Sequence, residues 1–216
     1  MSKENTIYTL KMWQVIHLAK AVERIPLIND INNKMGPITI FNGLSGTEWV
    51  NNTANAQRHP LHGMIRAGDV GCTRSHIQII SDALHDECVG IFEDDCEIFD
   101  GATARAYLAK VQADYPTADI ILLGASEYVS ATPLGDYKKV ERFWGTHAVL
   151  VRRKAFDAIL KTYKDGLAAG TFYPADWLYN KAIESNKLFV VGPAAPKQFC
   201  QQMLGLRSAI TGIVRQ

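Results

Sequence analysis

The sequence predicts an α/β fold, a three-layer α/β/α sandwich around a mostly parallel central sheet, and three observations carry that reading. Short apolar runs rich in β-branched residues alternate with stretches whose apolar residues recur at helical spacing. The first unit reads strand, helix, strand, a βαβ crossover of the kind that builds parallel sheets. A chain of 216 residues, 47% hydrophobic and 21% charged, is also long and apolar enough to bury the core of one domain.

The elements follow in order. Trp13 to Leu18, with Val15 and Ile16, reads as a buried strand. From Arg24 to Met35, Leu27, Ile28, Ile31 and Met35 fall at helical spacing, with Pro26 in the first turn and Gly36 as the stop. Pro37 to Phe41 supplies a second strand. Leu44 to Arg66, polar and carrying His59 and His62, reads as a long loop with one short helix, and loops of this length are more often functional than idle. Asp69 is positioned to cap a helix reaching Leu84, on which Cys72, Ser75, His76, Ile79, Ile80, Ala83 and Leu84 share a face. Cys88 to Phe92 is a strand that ends at an acidic run. A helix over 102–113, a strand over 119–124, a polar stretch and a strand over 145–151 come next. A helix over 154–163, a short helix over 177–183 and a strand over 188–191 complete the pattern. Units of this kind place ligands at the carboxyl ends of their strands.

Composition excludes several classes. A net charge of +1 gives no field for nucleic acid or an acidic membrane, so no nucleic-acid partner is expected. No stretch is long and apolar enough to span a bilayer, and the first residues do not read as a signal peptide, so the expected location is cytoplasmic. Cys72, Cys88, Cys96 and Cys200 form no CxxC pair, which argues against a zinc cluster and for reduced thiols.

The strongest local signal is Glu93-Asp94-Asp95-Cys96-Glu97. Four carboxylates in five positions repel one another and need a cation or full solvation. Hard oxygen ligands of this kind suit Mn²⁺ or Mg²⁺, ions that also bind substrate phosphates. On its own the run is equally well read as a solvated acidic loop.

Gly68-Asp69-Val70-Gly71-Cys72-Thr73-Arg74-Ser75-His76, followed by a helix, a strand and Glu93-Asp94-Asp95, resembles glycosyltransferase family 25. That family includes lipooligosaccharide and collagen galactosyltransferases. Val15-Ile16-His17-Leu18 with Arg24 is similar to the family's opening strand and downstream Arg, although His17, Ala19 and Lys20 replace its common residues. Asp119 to Gly124, Gly145-Thr146-His147-Ala148, Pro174-Ala175-Asp176-Trp177, and the tail Pro196, Gln198 and Ser208 match further motifs in order, with Ala209 where the tail often has Asp.

The resemblance implies a GT-A-like fold, with a nucleotide-sugar half at about 12–100 and an acceptor half at about 101–216 of one domain. It implies inverting transfer of galactose or glucose from a UDP-sugar to a glycan, a lipid-linked glycan or a protein hydroxyl, as in lipopolysaccharide biosynthesis. A lipid-linked acceptor would place the protein at a membrane surface. The implied donor-binding residues are His17, Leu18, Arg24, Ser75, His76, Glu93, Asp94 and Gln198. The implied metal ligands are Asp95, Glu93 and His147, and Asp176 is the candidate base. Bland roles stand beside these: packing for Cys72 and His76, local bonding for Ser75, and a helix cap for Asp176. Arg24, Arg74 and Lys20 read as diphosphate partners or as surface ion pairs. Trp144 and Trp177 read as a sugar-stacking wall or as core. The alternative function is a binding or adhesion relative without turnover. A hydrolase ranks lower, because neighbouring carboxylates cannot flank a glycosidic bond from opposite faces.

Overall fold

The computed structural model describes residues 13–51 and 65–203. His59, His62, Ser208 and Ala209 lie outside them. Strand β1 (Trp13–His17), helix α1 (Ile25–Met35) and strand β2 (Ile38–Asn42) form the expected βαβ unit, with β1 and β2 parallel. A 3₁₀ turn, Val22–Arg24, leads into α1, and Gly36 ends it. The short helix expected in the following loop is α2 (Thr47–Asn51).

Helix α3 (Ala67–Asp82) starts earlier than the sequence suggests. Arg66 is the N-cap, and Asp69 is the third helical residue rather than the cap. Its carboxylate reaches back to accept the Arg66 N–H at 3.3 Å, which satisfies a donor the helix leaves unpaired. Strand β3 (Cys88–Glu93) lies parallel to β1. Beyond the acidic turn comes β4 (Cys96–Ile98), then α4 (Gly101–Asp114), capped by Asp100 through the N–H groups of Ala102 and Thr103.

After β5 (Ile120–Gly124), the stretch read as merely polar is a hairpin of β6 (Glu127–Leu134) and β7 (Tyr137–Trp144). Its turn is Gly135-Asp136, with Gly135 at φ 59°, a conformation that favours glycine. Strand β8 (Ala148–Arg152), helices α5 (Arg153–Ala168) and α6 (Ala175–Asn186), and strand β9 (Val190–Pro193) follow. The last strand, β10 (Cys200–Gln202), pairs antiparallel with β4 in a separate two-stranded ribbon.

The main sheet has the order β2-β1-β3-β8-β5-β9-β7-β6. Following the pairings across it, all strands run one way except β8 and β7, so the mostly parallel sheet expected from the sequence is present with two reversed strands. Side chains alternate between faces. Ile91, Ile120, Leu122, Val149 and Val151 pack with Ile79, Ile80, Phe156, Ile159 and Tyr179 of α3, α5 and α6. Val15, Phe92, Ile121, Leu123 and Leu150 pack with Ile28, Ile31, Leu108 and Val111 of α1 and α4. Each full burial contributes about 1.5–3 kcal/mol, so both cores hold the strand ends beneath the site in fixed register.

Candidate active site

The carboxyl ends of β1, β2 and β3 face one edge of the sheet, and reversed β8 begins at that same edge. A cavity of about 260 Å³ lies there. Its walls are Leu18, Ala19 and Lys20 after β1, the loop from Gly43 to Thr47 after β2, and Ala67, Gly68, Gly71, Cys72 and Ser75 from the first turns of α3. Ile16, Arg24, Glu93, Asp94, Asp95 and Gln202 complete it. The β2 loop is tied to α3 through the Ser75 hydroxyl, which donates to the Gly71 carbonyl at 2.7 Å and accepts the Leu44 N–H at 2.9 Å. Gly71 allows that approach: a Cβ there would stand 2.4 Å from the Leu44 carbonyl oxygen.

The acidic run divides into separate jobs. Asp94 is buried and accepts from His17 Nδ1 at 2.8 Å and from the Arg24 guanidinium, which also lies 3.6 Å from Asp95. Burial works against the Arg24 charge, but Asp94 and then Asp95 more than offset it and raise its pKa. Asp94 thus braces the ends of β1 and β3, and Arg24 is a buried partner of the run rather than a surface ion pair. Glu97 turns away and accepts from Gln201 at 3.1 Å.

Glu93 and Asp95 face each other's charge. Burial opposes the charge of Glu93, yet His76, His147 and the Thr146 hydroxyl, which donates at 2.5 Å, hold its carboxyl down at about 2. Asp95 is pushed the other way, first by burial and then by the Glu93 charge, with only partial relief from Gln202, which donates at 2.8 Å. Its second oxygen, Oδ1, is buried and makes no hydrogen bond. His147, immediately before β8, binds the Ser126 hydroxyl through Nε2 at 2.9 Å, while its buried Nδ1 makes no hydrogen bond. One ligand atom each from Glu93, Asp95 and His147 lie within 4.8 Å of one another. Two carboxylates, one imidazole and two orphaned buried ligand atoms fit a divalent cation of the Mn²⁺ or Mg²⁺ kind, which would relieve the repulsion that raises Asp95.

The remaining expected residues are placed as follows. Leu18 and Ser75 line the cavity, and His17 stands beneath it on Asp94. His76 is wholly buried behind Glu93, with Nδ1 on the Tyr179 hydroxyl at 3.2 Å. Gln198 is exposed in the turn before β10 and is not among the wall residues. Gln202 is the glutamine on the wall, and sequence reasoning misses it because its partner Asp95 lies 107 residues away. Of the basic residues, Lys20 is exposed on the cavity wall, whereas Arg74 places its charge near Tyr163.

Asp176 is the second residue of α6, whose N-cap is Pro174. Its carboxylate accepts the Trp177 N–H at 2.8 Å and the Gly145 N–H at 3.4 Å. Burial outweighs those bonds and raises its pKa, with a smaller push from Glu93. Trp144 and Trp177 are only partly buried and lie with ring centroids 5.3 Å apart. The Arg142 guanidinium sits 5.1 Å from one ring and 5.2 Å from the other.

No family model and no curated protein matches the chain. Among solved structures, the chain is similar to the mannose-1-phosphate geranyltransferase from Thermus thermophilus, at 12% identity over 85% of this chain and 74% of that one, TM-score 0.46. It is also similar to A197 from STIV, at 11% identity over 92% and 96%, TM-score 0.43. A third is a Drosophila β-1,4-galactosyltransferase 7 mutant in complex with manganese, UDP-Gal and xylobiose, at 12% identity over 90% and 71%, TM-score 0.42. No helix among the described residues is long and apolar enough to cross a membrane.

Proposed function

We propose that this chain is a GT-A-like, divalent-cation-dependent glycosyltransferase, similar to family 25, that transfers a hexose from a UDP-sugar to a hydroxyl acceptor. The observation that carries the reading is the group of Glu93, Asp95 and His147 beside the cavity, in which Asp95 and His147 each keep a buried ligand atom, Oδ1 and Nδ1, without a hydrogen bond. When bound there, Mn²⁺ or Mg²⁺ supplies charge neutralisation for a diphosphate leaving group.

The chain's own residues do the rest. The first turn of α3, with Gly68 and Gly71 on the wall, presents N–H groups and a positive dipole end suited to phosphate oxygens. Lys20 adds an exposed cation on the cavity wall. Arg24 and His17 keep Asp94 occupied, so it does not compete for the cation. Asp176 accepts the acceptor hydroxyl's proton, a role that its raised pKa suits. Trp144 and Trp177 offer a partly exposed apolar face for the acceptor sugar. Incubating the protein with several nucleotide sugars and Mn²⁺, without acceptor, tests this. UDP-galactose or UDP-glucose is expected to be slowly hydrolysed only when the metal is present; failure of every donor contradicts the reading.

A further inference from the structure

Cys72 and His76 stand one helical turn apart on α3, and both approach the Glu93 carboxylate from the helix layer. Cys72 Sγ lies 3.8 Å and His76 Nε2 lies 3.7 Å from the same oxygen, Oε1. His76 has no exposed surface, and its Nε2 is buried without a hydrogen bond. With Nδ1 turned to the Tyr179 hydroxyl at 3.2 Å, the ring is fixed with Nε2 as the nitrogen that faces Glu93. One ligand atom from each of Cys72, His76 and Glu93 lie within 4.8 Å of one another. Ligand atoms around a tetrahedral Zn²⁺, with bonds of about 2.0–2.3 Å, are separated by about 3.3–3.5 Å. Cys72 and His76 therefore need to close on Glu93 by only a few tenths of an ångström.

We propose that Cys72, His76 and Glu93 form a second cation site, of thiolate–imidazole–carboxylate character, that takes a borderline or soft divalent ion such as Zn²⁺ or Cd²⁺. Softness separates it from the Glu93–Asp95–His147 group, because thiolate selects against Mn²⁺ and Mg²⁺. Cys72 lies on the cavity wall, which gives the ion an entry path. Binding breaks the Cys72 S–H bond, forms a metal–sulfur bond and releases the proton to solvent. Glu93 belongs to both groups, so an ion held here draws that carboxylate from Asp95 and His147. Opposition to Mn²⁺-supported turnover is the consequence, and that consequence alone rests on the proposed function.

The test is titration of Cd²⁺ into the full chain, followed by its ultraviolet thiolate-to-cadmium charge-transfer band. One equivalent is expected to saturate the band, with release of about one proton per ion. Cys72→Ser is expected to lose the band, and His76→Ala to weaken binding on the order of tenfold or more. The other cysteines are buried in the core beneath the sheet. No band in the wild-type chain, or an undiminished band in Cys72→Ser, overturns the proposal. A chain that gives the band yet hydrolyses no donor contradicts the transferase reading alone, and the converse contradicts the soft site alone.

Discussion

Asp95 is ionised at a cost to the fold. Its carboxyl is held above the ordinary value by burial and by Glu93, so the cost is absent at low pH and complete once pH has risen through the raised value. Asp95→Asn removes that cost along with a proposed cation ligand. The variant is expected to melt, without metal, no lower than the wild type, while Mn²⁺-dependent donor turnover falls by at least about 10²-fold. Thermal melts and turnover on the same samples check both halves. Glu93 behaves in the opposite sense. Its depressed carboxyl contributes stability that is present above 4.5, the ordinary value, and lost as pH falls toward about 2. Urea midpoints are expected to decline across that window in the wild type and more shallowly in Glu93→Gln. Asp176→Asn is expected to lower kcat on the order of 10²–10⁴-fold with Mn²⁺ affinity unchanged, as read by single-turnover kinetics and metal titration. The residues of the acidic run were legible because charge density is a property of the sequence itself. Their division of labour was not: Asp94 is neutralised by His17 and Arg24, and Asp95 is bonded by Gln202, through contacts 70 or more residues apart.

The elements that position the site differ in how plainly they are written. Strands β3 and β5 are near-continuous apolar runs because both of their faces are covered, and α1 and α3 each show helical periodicity toward the core on their own side of the sheet. The β6–β7 hairpin is obscured because β6 lies at the sheet edge, mostly exposed, and its pairing shifts register near Ser130, which breaks simple alternation. Leu134-Gly135-Asp136-Tyr137 does hold a two-residue hairpin signal that could have revealed it. Strands β4 and β10 span three residues each, too few for any pattern. The junction of the β2 loop with α3 depends on Gly71. Gly71→Ala is expected to drive a methyl into the Leu44 carbonyl, cost about 1–3 kcal/mol and displace the cavity wall. A lower melting temperature together with a raised KM for the donor is the expected signature. Unchanged values of both contradict this account of the junction.

At the scale of the molecule, one mixed sheet brings together groups that the chain keeps far apart. Glu93 and Asp95 come from the end of β3, His147 from the start of reversed β8, and Gln202 from the ribbon β10. The reversal of β8 is what places His147 at the carboxyl edge, where a wholly parallel sheet would present a strand's end instead. We propose that Glu93, Asp95 and His147 hold a divalent cation that anchors a nucleotide diphosphate in the neighbouring cavity. Calorimetric titration of UDP into the wild-type chain and Asp95→Asn, each with and without Mn²⁺, tests it most directly. UDP is predicted to bind the wild type strongly only when Mn²⁺ is present, and to lose that metal-dependent gain in Asp95→Asn. Equal UDP binding with and without Mn²⁺, or an undiminished gain in Asp95→Asn, would contradict it.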